Sequence, residues 1–246
     1  MEKFIGTSGY SYAHWLKGVF YPADWPKNKL LEYYCRVFGC VELNITFYRL
    51  PSQAVFKGWF RKTPPDFKFV LKGSRFITHV KRLKDVKNSI DIFFEAASSL
   101  GNKLLCVLWQ LPASMKSDSQ RLNSFIKDLK KNKTAEKLSH SFEFRNQTWF
   151  NRQTYDILEE NNLNLCIAHS GKWPCQEVFT SNFAYLRFHG GESLYSCEYS
   201  QAELEKWAEK IKTWPKKINR LLAFFNNDYK GFAVKNAKTF RELLKR

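Results

Sequence analysis

The sequence predicts an α/β protein folded as a single (β/α)8 barrel of the TIM type, with residues 1–246 forming one domain. Three observations predict it. Eight short apolar segments of strand character lie along the 246 residues. Amphipathic helical segments separate most of them, and several strands end in polar residues set two positions apart. Parallel strands need a crossover long enough to hold a helix, so strict alternation argues for a parallel sheet. Eight units at this length match the closed barrel, with a doubly wound open sheet as the competing arrangement. The chain shows no internal repeat, low-complexity tract or linker.

The first strand, residues 3–6, runs into the turn-forming Thr7-Ser8-Gly9-Tyr10 and an irregular aromatic segment through Trp15, Gly18, Tyr21 and Pro22. Residues 29–38 read as a helix with Leu30, Leu31, Tyr34 and Phe38 on one stripe. The second strand is 40–44. Ser52 suits the N-cap of a helix through Arg61, which Thr63-Pro64-Pro65 ends. The third strand, 67–72, is followed by a polar loop over 73–87 and a helix over 89–100. The fourth, 104–109, is closed by Gln110-Leu111-Pro112. Residues 119–131 place Leu122, Phe125, Ile126 and Leu129 on one helical face. The fifth strand, 139–144, precedes a helix over 152–161, and the sixth, 163–168, precedes a longer connection over 169–183. The seventh, 184–188, ends in Arg187-Phe188-His189-Gly190-Gly191. Ser200 caps a helix to Thr213 with Pro215 beyond it. The eighth strand, 220–225, runs into Asn226-Asn227-Asp228, and a last helix covers 233–244.

Composition excludes some functions. Hydrophobic residues are 44% and aromatics 17%, enough for a sizeable core and too apolar for disorder. No apolar run approaches the ~20 residues needed to span a bilayer. The opening Met-Glu-Lys-Phe-Ile-Gly lacks the features of a secretory leader, so a soluble, cytoplasmic protein is expected, without membrane association. The six cysteines show no C-x-x-C or zinc-type spacing and are expected as reduced thiols, three of them inside strands. The net charge is +17, and residues 57–87 hold ten Lys/Arg against Asp66 and Asp85. Such a surplus either forms a solvated lysine-rich face or attracts phosphate-rich partners, nucleic acid included.

Barrel active sites lie at the C-terminal ends of the strands. There the sequence offers Glu42 and Asn44, Lys72, Gln110, Glu143 and Arg145, Arg187 and His189, and Asn226, Asn227 and Asp228. The pairs 42/44, 143/145 and 187/189 are two apart, so each pair shares a face if its strand stays extended. Arg187, the Gly190-Gly191 turn and Asn226-Asn227 follow the seventh and eighth strands, where barrels often hold phosphate. Glu42, Glu143 and His189 are candidates for acid/base catalysis. Asn44, Lys72, His79, Gln110, Arg145, Arg187, Gly190, Asn226, Asn227 and Asp228 are candidates for ligand binding. His79, His169 and His189 lie near the same end, but neither H-x-x-E-H nor H-E-x-x-H spacing occurs and no metal site is assigned. No cofactor is legible. Tyr10, Tyr12, Trp15, Phe47, Tyr48 and Trp149 offer faces for a sugar or base, or cap the apolar layer beneath. The competing reading is an internal ion-pair network, such as Glu143 with Arg187. Glu143→Gln separates the two: lost turnover at unchanged stability marks a site, lost folding marks a scaffold.

Gly6-Thr7-Ser8-Gly9-Tyr10, Trp15-Leu16-Lys17-Gly18 with Phe20-Tyr21-Pro22, and Val41-Glu42-Leu43-Asn44 with Thr46-Phe47-Tyr48 resemble motifs of the domain of unknown function 72 (YecE-like) family. So do Lys72 with Ile77-Thr78-His79, Gln110-Leu111-Pro112, Glu143-Phe144-Arg145 with Trp149, Arg187-Phe188-His189-Gly190 and Phe225-Asn226-Asn227-Asp228. The resemblance runs from residue 4 to about 240. It implies a TIM-type barrel and a polar pocket, and it supplies no reaction. The expectation is an enzyme acting on a small anionic, phosphorylated or sugar-like metabolite. A nucleic-acid-binding or -processing protein and a non-catalytic ligand-binding barrel are the alternatives.

Overall fold

In the computed structural model, which describes residues 1–191 and 195–245, every paired strand is parallel to its neighbours. β1 (Glu2–Thr7) leads through an irregular segment to α1 (Leu30–Tyr34), β2 (Cys40–Leu43), α2 (Ile45–Tyr48) and α3 (Gln53–Lys62). β3 (Lys68–Lys72), α4 (Lys87–Ala97), β4 (Leu104–Gln110), α5 (Ser119–Lys131), β5 (Ser139–Glu143) and α6 (Arg152–Glu160) continue the alternation. β6 (Asn164–Leu165), β7 (Ile167–His169), β8 (Phe183–Phe188), α7 (Gln201–Lys212), β9 (Arg220–Phe225) and α8 (Phe232–Leu243) complete it.

The strands divide into two sheets, ordered β1-β9-β8-β7 and β2-β3-β4-β5-β6. The expected sixth strand is therefore two strands. Its backbone changes sheets at Cys166, whose N–H donates to Phe142 O at 2.8 Å while Ile167 already pairs with Leu186. At the other junction Ser8 bridges to Glu42 and its N–H donates to Phe225 O at 2.9 Å.

Alternation sorts the side chains into two layers. Val41, Phe69, Val107, Trp109, Phe142, Leu186 and Phe225 join the helices in the larger core. Their neighbours one residue away, Cys40, Val70, Cys106, Leu108, Tyr185 and Phe224, form with Leu222 a separate cluster drawn from both sheets. Continuing that inner face towards the strand C-termini gives Glu42, Lys72, Gln110, Glu143 and Arg187, all buried. Period two thus places the polar layer on top of an apolar one.

Some local expectations fail for identifiable reasons. Asn44 has helical backbone (φ −81°, ψ −17°) and begins α2, so the assumed extended pairing with Glu42 does not exist. Arg145 and His189 likewise lie just beyond the ends of β5 and β8. The polar loop over 73–87 contains a helical turn at Phe76–Val80 that buries Ile77 and Thr78. Ser52 occupies the N-cap of α3 without a side-chain bond, whereas Ser200 and Glu203 form a full capping box on α7. Cys40, Cys106 and Cys166 are buried free thiols, as expected from their strand positions.

Gly73 is fixed by packing. A Cβ there would lie 2.3 Å from Cε3 of Trp109. Trp109 cannot yield, because it is buried and its Nε1–H donates to His140 Nδ1 at 3.1 Å. Overpacking of this kind costs about 1–3 kcal/mol. Gly73→Ala is expected to lower the unfolding midpoint by roughly 2–10 °C for a chain of this size, measured by calorimetry.

Candidate active site at the strand C-termini

Arg187 stands at the centre of the polar layer. From β8 its Nη2 donates to Glu42 Oε1 of β2 at 2.6 Å, and its Nη1 to Glu143 Oε2 of β5 at 2.5 Å. All three side chains are fully buried. Tyr185, two residues before Arg187 on the same face, donates its hydroxyl to Glu42 Oε2 at 2.5 Å. Arg145 donates Nε–H to Glu143 Oε1 at 2.8 Å, and its guanidinium lies 4.6 Å from the Trp173 ring centroid. His189 reaches the same group: its Nε2 is 3.6 Å from Glu143 Oε2, and its Nδ1 is 3.1 Å from Asn226 Nδ2.

The electrostatics follow from these contacts. Burial alone would raise both carboxyls; the Arg187 guanidinium overrides it, holding Glu42 below the usual range and, with Arg145, Glu143 well below it. Burial and the nearby Arg187 charge push His189 down to about 4, so it is neutral at pH 7. Two carboxylates are thus matched by two guanidiniums.

Lys72 is left without a counter-ion among the described residues. It is 8% exposed, and its Nζ lies 4.1 Å from the centroid of the Phe47 ring. Among the described residues its Nζ makes no hydrogen bond or ion pair, while its backbone carbonyl accepts from Thr46 Oγ1 at 2.6 Å. Burial, then the Arg187 charge, lowers its amine to about 7, against the opposing pull of Glu143.

Above this layer opens a cavity of about 570 Å³, lined by Lys72, Arg145, Asn44, Asn226 and Asp228 together with Tyr10, Tyr12, Tyr48, Trp59 and Tyr195. The binding candidates Asn44, Lys72, Arg145, Asn226 and Asp228 therefore meet at one opening. Glu42, Glu143, Arg187 and His189 form its buried foundation and do not line it. Asn44 donates Nδ2–H to Ser8 O at 3.4 Å, and its buried Oδ1 has no partner among the described residues. Asp228 pairs with His14 at 3.2 Å.

Other candidates sit elsewhere. Gln110 is buried, 3.4 Å from His79 Nε2, and His79 packs edge-on against Phe47. Asn227 is buried in a clamp, donating to Cys197 O and to Asn236 Oδ1. The backbone N–H of Gly190 is taken by the Tyr199 hydroxyl at 3.1 Å, so it is not open to an anion. Of the aromatic candidates, Trp149 is a core residue stacked on Phe144 at 4.5 Å, and Trp15 ties to Asp228 O. Among the described residues no three His, Cys, Asp or Glu side chains converge as metal ligands. Sequence reasoning missed Tyr185, Trp59 and Trp173. Tyr185 alone carried a signal: it shares the face of Arg187.

The geometry places Glu143→Gln on the destabilising side, since it leaves Arg187 and Arg145 facing a neutral amide. Breaking a buried pair costs about 3–5 kcal/mol, so the midpoint should fall by roughly 10 °C. Stability should also depend on acidity. His140 and His189 are buried and titrate near 4 in the folded chain, against ~6.5 when unfolded. The unfolded chain then binds more protons between these values, so stability is full above ~6.5 and falls as pH drops towards 4. The carboxylates, lowered by folding, lose their contribution only below that window. Calorimetry from pH 7.5 to 4 should show the decline, and His189→Gln should shrink it to the part that His140 contributes.

Comparison with known proteins agrees with the motifs. The family model described as protein of unknown function DUF72 matches residues 4–246. UPF0759 protein YunF of Bacillus subtilis is 26% identical, covering 98% of this chain and 94% of that protein. UPF0759 protein YecE of Escherichia coli K12 is 24% identical, covering 86% and 81%. The crystal structure of a DUF72 family protein from Thermotoga maritima superposes with a TM-score of 0.87 at 32% identity, covering 100% of both chains. In fold alone the chain is also similar to SacUVDE (TM-score 0.61, 8% identity, 100% and 98% covered). A xylose isomerase-like TIM barrel fused to 4-hydroxyphenylpyruvate dioxygenase matches at 0.50 and 14%, covering 98% of this chain and 42% of that one. With whole-length sequence and structural matches of this kind, the chain belongs to the DUF72 family of proteins of unknown function.

Proposed function

We propose that the protein is an enzyme acting on a small anionic metabolite, phosphorylated or sugar-like, in the cavity at the strand C-termini. Its two sheets act as halves of one barrel and one domain, joined at the Ser8–Glu42 bridge and at Cys166. The observation that carries this reading is Lys72, a buried amine on the cavity wall with no counter-ion among the described residues. A buried unpaired charge is costly, and an anionic ligand relieves that cost.

The roles follow from position. Arg145 is held by Glu143 through Nε alone and keeps its Nη groups free of protein acceptors among the described residues. Those groups and Lys72 take the anion. Lys72, titrating near neutrality, moves the proton. Glu42 and Glu143 hold the cations in place, because carboxylates kept ionised by Arg187 are weak bases. The tyrosines of the wall offer faces to a sugar ring.

Isothermal titration with inorganic phosphate tests this reading. Arg145→Ala and Lys72→Met should each weaken binding about tenfold or more, the scale of one charge-assisted hydrogen bond. Anion binding favours protonated Lys72 and raises its pKa. Affinity for sulfate, whose charge is constant over this range, should therefore be flat below pH ~7 and fall above it, with proton uptake across that range. Phosphate affinity indifferent to both substitutions would reject the reading.

A second reading has its own observation. Arg49, Arg75, Lys81, Arg82 and Lys84 are exposed on the segments after β2 and β3, beside the exposed rings of Tyr48 and Phe76. Cations interleaved with aromatics suit the backbone and bases of a nucleic acid. Binding to a single-stranded oligonucleotide should then weaken steeply with salt, its log–log slope reporting the phosphates neutralised. No binding at low salt would eliminate it.

A further inference from the structure

Two buried lysines show how unusual Lys72 is. Lys103 is 3% exposed, but its ammonium donates to Phe60 O, Thr63 O and Thr63 Oγ1, at 2.7, 2.7 and 3.1 Å. Every proton of that ammonium is used, so Lys103 is a structural tie. Lys72 is almost as buried, and its ammonium makes no such bond among the described residues. It projects from the end of β3 over the face of Phe47, itself buried and braced by His79. The aromatic face fixes the amine without engaging its lone pair, and the cavity of about 570 Å³ lies in front of it.

We propose that Lys72 is a nucleophile: its Nζ condenses with the carbonyl carbon of an anionic aldehyde or keto substrate, forming an imine while Arg145 holds the substrate's anionic group. This rests on reading the cavity as an anion site and names the substrate class. Nζ attacks the carbonyl carbon; the N–C bond forms and the carbonyl π pair moves to oxygen. That oxygen takes one proton from nitrogen, giving a carbinolamine. The nitrogen lone pair then forms C=N as the hydroxyl leaves, taking the second nitrogen proton and departing as water. Amine and carbonyl give imine and water, with no redox change and no further reactant. The imine, once protonated, draws electrons from bonds at the adjacent carbon.

Imine formation needs a neutral amine, and an ordinary lysine is almost wholly protonated at pH 7. Burial and the neighbouring Arg187 and Arg145 charges bring Lys72 to about 7, so a large fraction carries a free lone pair there. A hydrophobic setting beside other cations is a general way to activate an amine.

Trapping with borohydride tests the assignment. The full-length protein is incubated with a low concentration of pyridoxal 5′-phosphate, used only as a phosphorylated aldehyde probe, or with glyoxylate. Reduction and peptide mapping follow. One adduct on Lys72 and none on Lys103 is expected. Its rate should rise through pH ~7 and level off, and saturating phosphate should slow it. Lys72→Arg should keep phosphate binding and lose the adduct, separating loss of the nucleophile from loss of folding. Labelling spread over surface lysines, or absent from Lys72, overturns the proposal. If phosphate binds and Arg145→Ala weakens it while Lys72 stays unlabelled, only the nucleophile fails. If phosphate neither binds nor protects, the anion site itself fails and the proposal with it.

Discussion

One buried guanidinium joins the two sheets at the end where chemistry is expected. Arg187 leaves β8 in one sheet and meets Glu42 and Glu143, from β2 and β5 of the other. Its neighbour Tyr185 makes a parallel link to Glu42. Charges out of water gain little net stability even when well paired, because desolvation offsets the Coulomb attraction. What they impose is position: each partner must be present, ionised and in register, or a charge is stranded. The apolar layer beneath, shared by both sheets, supplies the burial that makes this demand strict.

That constraint shapes the cavity above it. Among the described residues Glu42 and Glu143 are paired with Arg187 and Arg145 and Asp228 with His14, and none of them forms an ion pair with Lys72. The amine is set on an aromatic face, at a wall rich in tyrosine and asparagine. An unpaired buried amine works against the folded state below its own pKa, since the unfolded chain holds that proton more tightly. A site carrying such a cost is one where ligand binding has free energy to recover. Arg145 spans both levels, tied by one nitrogen to Glu143, stacked on Trp173 and open to the cavity by the rest of its guanidinium.

Much of the fold was legible because its signals are local. Strand and helix alternation and the helix cap at Ser200 depend on neighbours in the chain. The i, i+2 rule holds for Tyr185 and Arg187, a pair that the sequence reading did not single out, because both stay within a regular strand. It failed for Asn44, because the backbone turns helical at that residue and directs its side chain by a different rule. The split at Cys166 was illegible for a similar reason. A two-residue strand changing partners carries the same apolar pattern as one continuous strand.

The sequence by itself determined the order of elements, the parallel alternation and the concentration of polar residues at the strand ends, since period and composition are properties of adjacent residues. Tertiary structure alone decided which of those residues are foundation and which are wall. Glu42, Asn44, Lys72 and Glu143 look equivalent along the chain. They diverge only once the strands are assembled, because counter-ions arrive from strands 44 to 145 residues away and reach the glutamates but not the lysine.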